Sequence, residues 1–353
     1  MIKNLISNGF VASHLADLLL EKGEEVYVYY RWTDDRSAFK HIISKVNWVL
    51  MDLNDLSSCI KAIEEVSPDY IYHLGSQSSV PASFIYPAET IKTNTIGTLN
   101  LLEAVRLLRE LPNTGKVCDE CEICDYGAEC NKEKLMFDPT IIIVSSSEVY
   151  GQVDRDKLPI TEDTPLSPNN PYAVGKIGED MIGLVYWKNY GLKIIRTRFF
   201  THTGPRRTMM SAECYYAKRI AEIEKEQRVA PNAQVPICII KTGNMESIRT
   251  WADVRDAVRA YYLLARNGTY GEVYNIGGET VKSIQEVLDY MLSISSLNKD
   301  KIKFEEDPTL LRKADVDIQT VDITKLKNTI DWKPEISFET TMRDVLNYWR
   351  DNV

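Results

Sequence analysis

The chain has 353 residues, 26% of them charged and 44% hydrophobic, with a net charge of -9. That is enough to bury a full core, as one large α/β domain with a smaller lobe or as two domains. No basic stripe stands out, which argues against nucleic acid as the main partner, and no apolar run approaches the roughly 18 residues of a membrane helix. The opening Met1-Ile2-Lys3-Asn4-Leu5-Ile6 reaches Ser7-Asn8-Gly9 without the apolar stretch of a secretory leader, so a cytoplasmic location is expected.

Residues 2–6 read as a first strand, which enters Ser7-Asn8-Gly9-Phe10-Val11-Ala12 and then a helix over 13–22. A dinucleotide site needs this order of strand, tight glycine turn and helix, with the helix N-terminus receiving the pyrophosphate. Gly9 and Ala12 fit the second and third positions of the glycine fingerprint. The first glycine is missing and the turn is about two residues short. Asn8 is the expected stand-in, because asparagine tolerates the left-handed conformation. Taken alone, the stretch is equally an ordinary strand–turn–helix corner.

The second strand, 25–30, ends in Arg31, a cation where the 2′-phosphate of NADP would sit, and NAD is less favoured. The plainer alternative is a solvated arginine. Strands over 47–50 and 70–74 follow, with helices over 56–66 and 94–107. Asp52 and Leu53 after the third strand are placed to reach the adenine. Leu74, Gly75 and Ser76 after the fourth would let the backbone approach the cofactor. With Asn8, Gly9, Phe10, Val11 and Arg31, they make up the expected dinucleotide contacts.

A fifth strand over 140–145 runs into Ser145-Ser146-Ser147-Glu148, and a helix over 172–190 opens on Tyr172-Ala173-Val174-Gly175-Lys176. Tyrosine and lysine four apart share a helical face, so the ammonium favours the phenolate by Coulomb attraction. Hydroxyls and a carboxylate at a strand's C-terminal edge sit where open α/β sheets hold their ligands. A sixth strand over 193–198 completes the alternation. The fold expected is a Rossmann-type doubly wound parallel sheet over residues 1–204. Beyond it the pattern changes: a helix over 212–226, a strand over 235–240, and helices over 252–265, 283–295 and 338–350. Residues 205–353 read as a smaller, interwoven substrate lobe with segments returning to the first domain.

The chain resembles the extended short-chain dehydrogenase/reductase family from near its start to Trp349. Within that family it is most similar to GDP-mannose 4,6-dehydratases and GDP-4-keto-6-deoxymannose reductases. The resemblance is carried by Tyr72-His73-Leu74-Gly75-Ser76-Gln77-Ser78, Asn94-Thr95-Ile96-Gly97-Thr98, the serine–glutamate strand end and the tyrosine–lysine helix. It continues through Thr201-His202-Thr203-Gly204-Pro205-Arg206-Arg207, Gly243-Asn244-Met245-Glu246-Ser247-Ile248-Arg249 and Trp332-Lys333-Pro334. It implies a GDP-sugar substrate, NADP and 4,6-dehydration by internal hydride transfer. Tyr172 would take the C4 hydroxyl proton, tuned by Lys176. Ser146 would hold that hydroxyl, Glu148 would work on the C5 proton, and Ser147 stands where many dehydratases have aspartate. Arg249 and Arg312 resemble the family's diphosphate and ribose contacts. Thr201 replaces the asparagine usual at that substrate contact, and Lys313 replaces a common proline. Alternatives are a 4-reductase or epimerase using the same Tyr172 and Lys176, and a non-catalytic NADP-binding protein. The family also implies a homodimer or homotetramer packed through the helices at 94–107 and 172–190.

Residues 111–138 insert Cys118-x-x-Cys121-x-x-Cys124-x5-Cys130 where the family has a short link. Four thiolates in that compass suit a tetrahedral structural zinc, ahead of an iron–sulfur cluster. The alternative is an acidic loop with free thiols. Cys59, Cys214 and Cys238 read as ordinary buried thiols.

Overall fold

The computed structural model describes residues 1–110, 137–229, 238–297, 302–311 and 315–353. Its centre is a seven-stranded sheet, all of whose paired strands run parallel. The strands are β1 (Lys3–Ser7), β2 (Glu25–Tyr30), β3 (Asn47–Leu50), β4 (Tyr70–His73), β5 (Thr140–Ser146), β6 (Ile194–Phe199) and, late in the chain, β10 (Val273–Ile276). Their order is β10-β6-β5-β4-β1-β2-β3, with Leu5 opposite Tyr27 on one side of β1 and opposite Ile71 on the other. The order reverses between β1 and β4, which opens the crevice where such sheets bind ligands.

Both faces of the sheet are covered, so its strands alternate between two cores rather than between core and water. Ile6, Tyr72, Ile142 and Ile195 pack to one face, against α1 (Phe10–Glu21) and α8 (Val254–Asn267). Leu5, Ile71, Ile141, Ile143 and Ile194 pack to the other, against α2 (Leu56–Val66), α5 (Gly97–Glu110) and Tyr186 of α6 (Pro171–Tyr190). Each fully buried side chain of this size contributes about 1.5–3 kcal/mol.

A third core lies among α7 (Ala212–Val229), α9 (Ile284–Ser293), α11 (Phe338–Asn352) and β8 (Cys238–Thr242). Beside it β9 (Ile248–Asp253) pairs with β7 (His202–Thr203), β11 (Thr280–Ser283) and β13 (Ile318–Gln319), β8 pairs with β12 (Ile302–Glu306), and the short helix α10 (Thr324–Thr329) leads toward α11.

Several elements depart from the sequence reading. Helix α1 starts at Phe10, three residues early, because Gly9 itself is the cap and strand turns directly into helix. The segment 252–265 is helical only from Val254. Its first two residues end β9, and Asp253 caps α8 through the Arg255 amide. The first three residues of the strand expected at 235–240 lie outside the described residues. The short helices α3 (Val80–Ile85) and α4 (Pro87–Ile91) and a π-helical turn, Lys92–Ile96, precede α5. Cys59, Cys214 and Cys238 are buried, and burial pushes Cys59 up to about 12.

Candidate active site

Strand β5 delivers the serines. Ser146 caps the short turn Ser147–Tyr150 by accepting the Glu148 amide at 3.2 Å, and its side chain also hydrogen-bonds Tyr172. Ser145 Oγ donates to the Lys176 carbonyl at 3.1 Å, tying the strand to α6. Ser147, buried, donates to Gln319 Oε1 at 2.9 Å, and Gln319 Nε2 donates back to the Ser147 carbonyl at 3.1 Å.

Helix α6 brings up the other two groups. Its cap is Asn170, whose side-chain oxygen accepts the Ala173 amide at 2.8 Å and whose Nδ2 donates to Glu148 Oε2 at 3.0 Å. Tyr172 and Lys176 stand one turn apart on the buried face. Burial pushes the Tyr172 phenol above its ordinary value, opposed by the Lys176 charge and the Ser146 hydrogen bond. Lys176 Nζ donates to the Val144 carbonyl at 2.7 Å and to Glu179 Oε2 at 2.8 Å. Burial works against this ammonium, but Glu179 holds its pKa above the usual lysine value. Ser146, Ser147, Glu148, Tyr172 and Lys176 thus converge at the C-terminal edge of the sheet.

The crevice at the point where the strand order reverses is formed at the ends of β1, β2 and β4. Gly9 has φ +148°, a conformation open to glycine, and no side chain caps α1. The first amides of α1 are therefore open to an anion, with Phe10 and Val11 opening the helix behind them. Asn8 does not enter the left-handed region, since among described non-glycine residues only Ser67 and Arg206 have positive φ. Asn8 instead donates from Nδ2 to the Asp35 carbonyl at 2.7 Å, and its amide to the Tyr29 carbonyl at 3.1 Å, bracing the loop after β2. Gly75 is needed for close approach: a Cβ there would collide with the Tyr29 hydroxyl. The loop Leu74-Gly75-Ser76 is held by Asn94, which accepts the Gln77 amide at 2.8 Å and donates to its carbonyl at 3.1 Å.

Arg31 is half-exposed and clamped by Asp34, with Nε and Nη2 on the same carboxylate oxygen at 3.1 and 3.0 Å. The sequence reading missed Arg36, whose guanidinium stacks over Tyr30 at 3.8 Å and Trp48 at 4.8 Å. Asp52 is engaged with the Asn54 amide at 2.9 Å, while Leu53 is buried and its carbonyl accepts Asn100 Nδ2 at 2.8 Å.

Toward the C-terminal lobe, the Thr201 carbonyl accepts the Ala252 amide at 3.0 Å. Arg249, on β9 and largely buried, reaches Asp315 Oδ1 at 3.3 Å. Its cross-strand partner is Gln319, the residue that binds Ser147, so the lobe and the serine strand end meet through one glutamine. Gln319, Asn170 and Arg36 carried no motif in the sequence. Only the position of Asn170 directly before a helix signalled its capping role. Arg312 and the cysteines Cys118, Cys121, Cys124 and Cys130 lie outside the described residues. Among the described residues no group of three or more His, Cys, Asp or Glu could hold a metal ion.

A doubly wound parallel sheet with a capped Ser–Tyr–Lys constellation at the end of its fifth strand defines an extended short-chain dehydrogenase/reductase. More narrowly, a family model described as GDP-mannose 4,6 dehydratase matches residues 7–345, and the chain belongs to that family. GDP-mannose 4,6-dehydratase of Yersinia enterocolitica is 29% identical over 96% of this chain and 91% of its own. GDP-6-deoxy-D-mannose reductase of Pseudomonas aeruginosa is 29% identical over 81% of this chain and 82% of its own. Among solved structures, RMD from Pseudomonas aeruginosa complexed with NADPH superposes with a TM-score of 0.74 at 26% identity, covering 99% of each chain.

Proposed function

We propose that this protein is a GDP-hexose 4,6-dehydratase that uses NADP. The reading is carried by one observation: Glu148 stands beside the Ser146–Tyr172–Lys176 group, fixed by the residue that caps the Tyr172 helix. The open α1 N-terminus, Gly75 and the cations Arg31 and Arg36 suit the pyrophosphate and 2′-phosphate of the dinucleotide. When bound, NADP supplies the acceptor for the C4 hydride and returns it at C6. Tyr172 takes the C4 hydroxyl proton while Ser146 holds that oxygen. Glu148 takes the C5 proton and passes it to the C6 hydroxyl, which leaves as water, and C5 regains a proton from solvent as hydride reaches C6. Arg249 holds the diphosphate, and Arg312 and Thr201 complete the substrate contacts. This site lies between a dinucleotide domain, residues 1–204, and the mainly C-terminal substrate lobe, residues 205–353.

The test is incubation with GDP-mannose and NADP in heavy water, scored by mass. Loss of one water with deuterium entering at C5 supports dehydration. Absence of both sinks it. The reductase relative favours a second reading, a 4-reductase using the same tyrosine, which would instead consume NADPH on a 4-keto sugar and leave GDP-mannose untouched.

The chain is further read as a cytoplasmic homodimer or homotetramer. Ile96, Val174 and Val185, on or next to α5 and α6, are 42%, 44% and 49% exposed, in keeping with a helix-to-helix interface. Among the described residues no helix is long and apolar enough to cross a membrane. The spacing of Cys118, Cys121, Cys124 and Cys130 favours one structural zinc, and a purified protein with no metal by elemental analysis would remove that assignment.

A further inference from the structure

Glu179 has no part in the chemistry above, yet it is the residue most tightly joined to it. It is fully buried, and its Oε2 receives the Lys176 ammonium at 2.8 Å. Its Oε1 has no hydrogen-bond partner among the described residues and lies 3.9 Å from His73 Nε2. His73 offers no opposing charge, because burial holds its pKa down to about 3 and its Nε2 is engaged with Thr98 Oγ1 at 2.8 Å. From its own helix Glu179 also faces Tyr172 and Asp180, and Asp180 is taken up by Arg196 at 2.6 Å and Arg198 at 2.7 Å. Tyr29 of β2 and Tyr261 of α8 are further titratable neighbours, both neutral phenols raised by burial. Glu148 adds a second negative charge near Tyr172.

With Tyr172 as phenol, Lys176 and Glu179 form a neutral buried pair. Ionising the phenol then leaves the trio with one net negative charge in a water-poor interior, which is costly. Were Glu179 uncharged, the same ionisation would take the trio from one positive charge to none, which is favourable.

We propose that Glu179 is a positioning residue which, by neutralising Lys176, holds Tyr172 in its protonated form until that carboxylate is itself protonated or loses its grip on the lysine. The tyrosine–lysine pair is thereby restrained from acting as a base. The proximity of the three groups carries the proposal, and the rise of the Glu179 carboxyl to about 7 through burial places its own protonation within reach of neutral pH. It rests on the reading of Tyr172 as the base, but is tested separately from it.

The experiment is a pH titration of phenolate absorbance on the full chain. Tyr172→Phe is made in each background so that subtraction isolates Tyr172. Glu179→Gln should lower the Tyr172 midpoint, giving about tenfold more phenolate at a given pH. Glu179→Met, which keeps the volume without the charge, should do the same and serves if the glutamine variant does not fold. With GDP-mannose and NADP, the acid limb of turnover should move to lower pH in parallel. A midpoint equal to or above wild type in a folded variant overturns the proposal, since a merely structural ion pair would change melting without moving it. Undiminished water loss by Tyr172→Phe would instead overturn the assignment of the base, leaving the absorbance result to stand on its own.

Discussion

Asn170 uses both ends of one amide, its oxygen capping helix α6 at the Ala173 amide and its nitrogen holding Glu148 at 3.0 Å. The start of the helix that carries Tyr172 and Lys176 is thereby locked to the carboxylate proposed to work on C5. Asn170→Ala should cost about 1 kcal/mol of stability through the lost cap. It should also slow water loss from GDP-mannose about tenfold, as Glu148 loses its fixed position. Asn170→Ser retains a capping oxygen but lacks the second polar atom that holds Glu148, so it should restore melting temperature without restoring rate. Thermal melts beside initial rates check this, and a serine variant with full rate would show that the cap alone matters.

The cations near the end of β2 make a separable prediction about the cofactor. Arg31 is held by Asp34, whereas Arg36 is stacked on Tyr30 and Trp48. Charge-assisted hydrogen bonds to a phosphate are worth about 1.5–3 kcal/mol. Arg31→Ala together with Arg36→Ala should therefore weaken NADP at least tenfold and leave NAD nearly unchanged. Asp34→Asn, which frees Arg31, should tighten NADP. Calorimetric titration with both dinucleotides decides it: equal losses for the two would mean that neither arginine reads the 2′-phosphate.

The buried trio Asp180, Arg196 and Arg198 predicts a large stability effect away from the chemistry. Asp180 lies on α6 and accepts one arginine on each oxygen, at 2.6 and 2.7 Å, with all three side chains at most 7% exposed. Removing the shared carboxylate leaves two buried cations without it, a change that costs about 3–5 kcal/mol. Asp180→Asn should show that loss in chemical denaturation. A loss below about 1 kcal/mol would mean that water already reaches the arginines.

The sheet was legible because its strands alternate two apolar faces with helices between them, a pattern carried by local sequence. β2, β3 and α2 fall where the period places them, at Glu25–Tyr30, Asn47–Leu50 and Leu56–Val66. Strand β10 was not legible: Val-Tyr-Asn-Ile is four residues long, and only its pairing with β6 makes it part of the sheet. The tyrosine–lysine spacing and the serine–glutamate strand end were visible because a single helix turn and a single strand end hold them. Gln319 was invisible because its contact with Ser147 spans 172 residues. Asn8 was misread in conformation, since its side chain satisfies the loop after β2 rather than filling a left-handed turn. Glu179 was hidden by its composition: a glutamate three residues after a lysine on a helix is ordinarily a solvated pair.

Three of the four histidines are held neutral, His14 and His73 buried and His202 half-buried, and this sets the acid limit of stability. Burial lowers His14 from 6.5 to about 4, and lowers His73 and His202 to about 3. A group whose folded pKa is depressed lends its stability above the unfolded value, here 6.5, and loses it as pH falls toward the folded value. Each of the three should remove about 1.4 kcal/mol per pH unit below 6.5. Glu179 is the largest opposing group: its carboxyl, raised from 4.5 to about 7, adds stability as pH falls across that window. Burial also raises Glu162 and Asp256, which add smaller gains lower in the range. The three histidine losses still leave a net fall, so the chain should weaken between pH 6.5 and 5. His73→Asn, whose amide can still meet Thr98, removes one of the three losses. The drop in unfolding free energy between pH 7 and pH 5 should be about 2 kcal/mol smaller in that variant than in wild type. Denaturant melts at the two pH values measure it, and an identical drop would show that His73 already carries a proton in the folded protein.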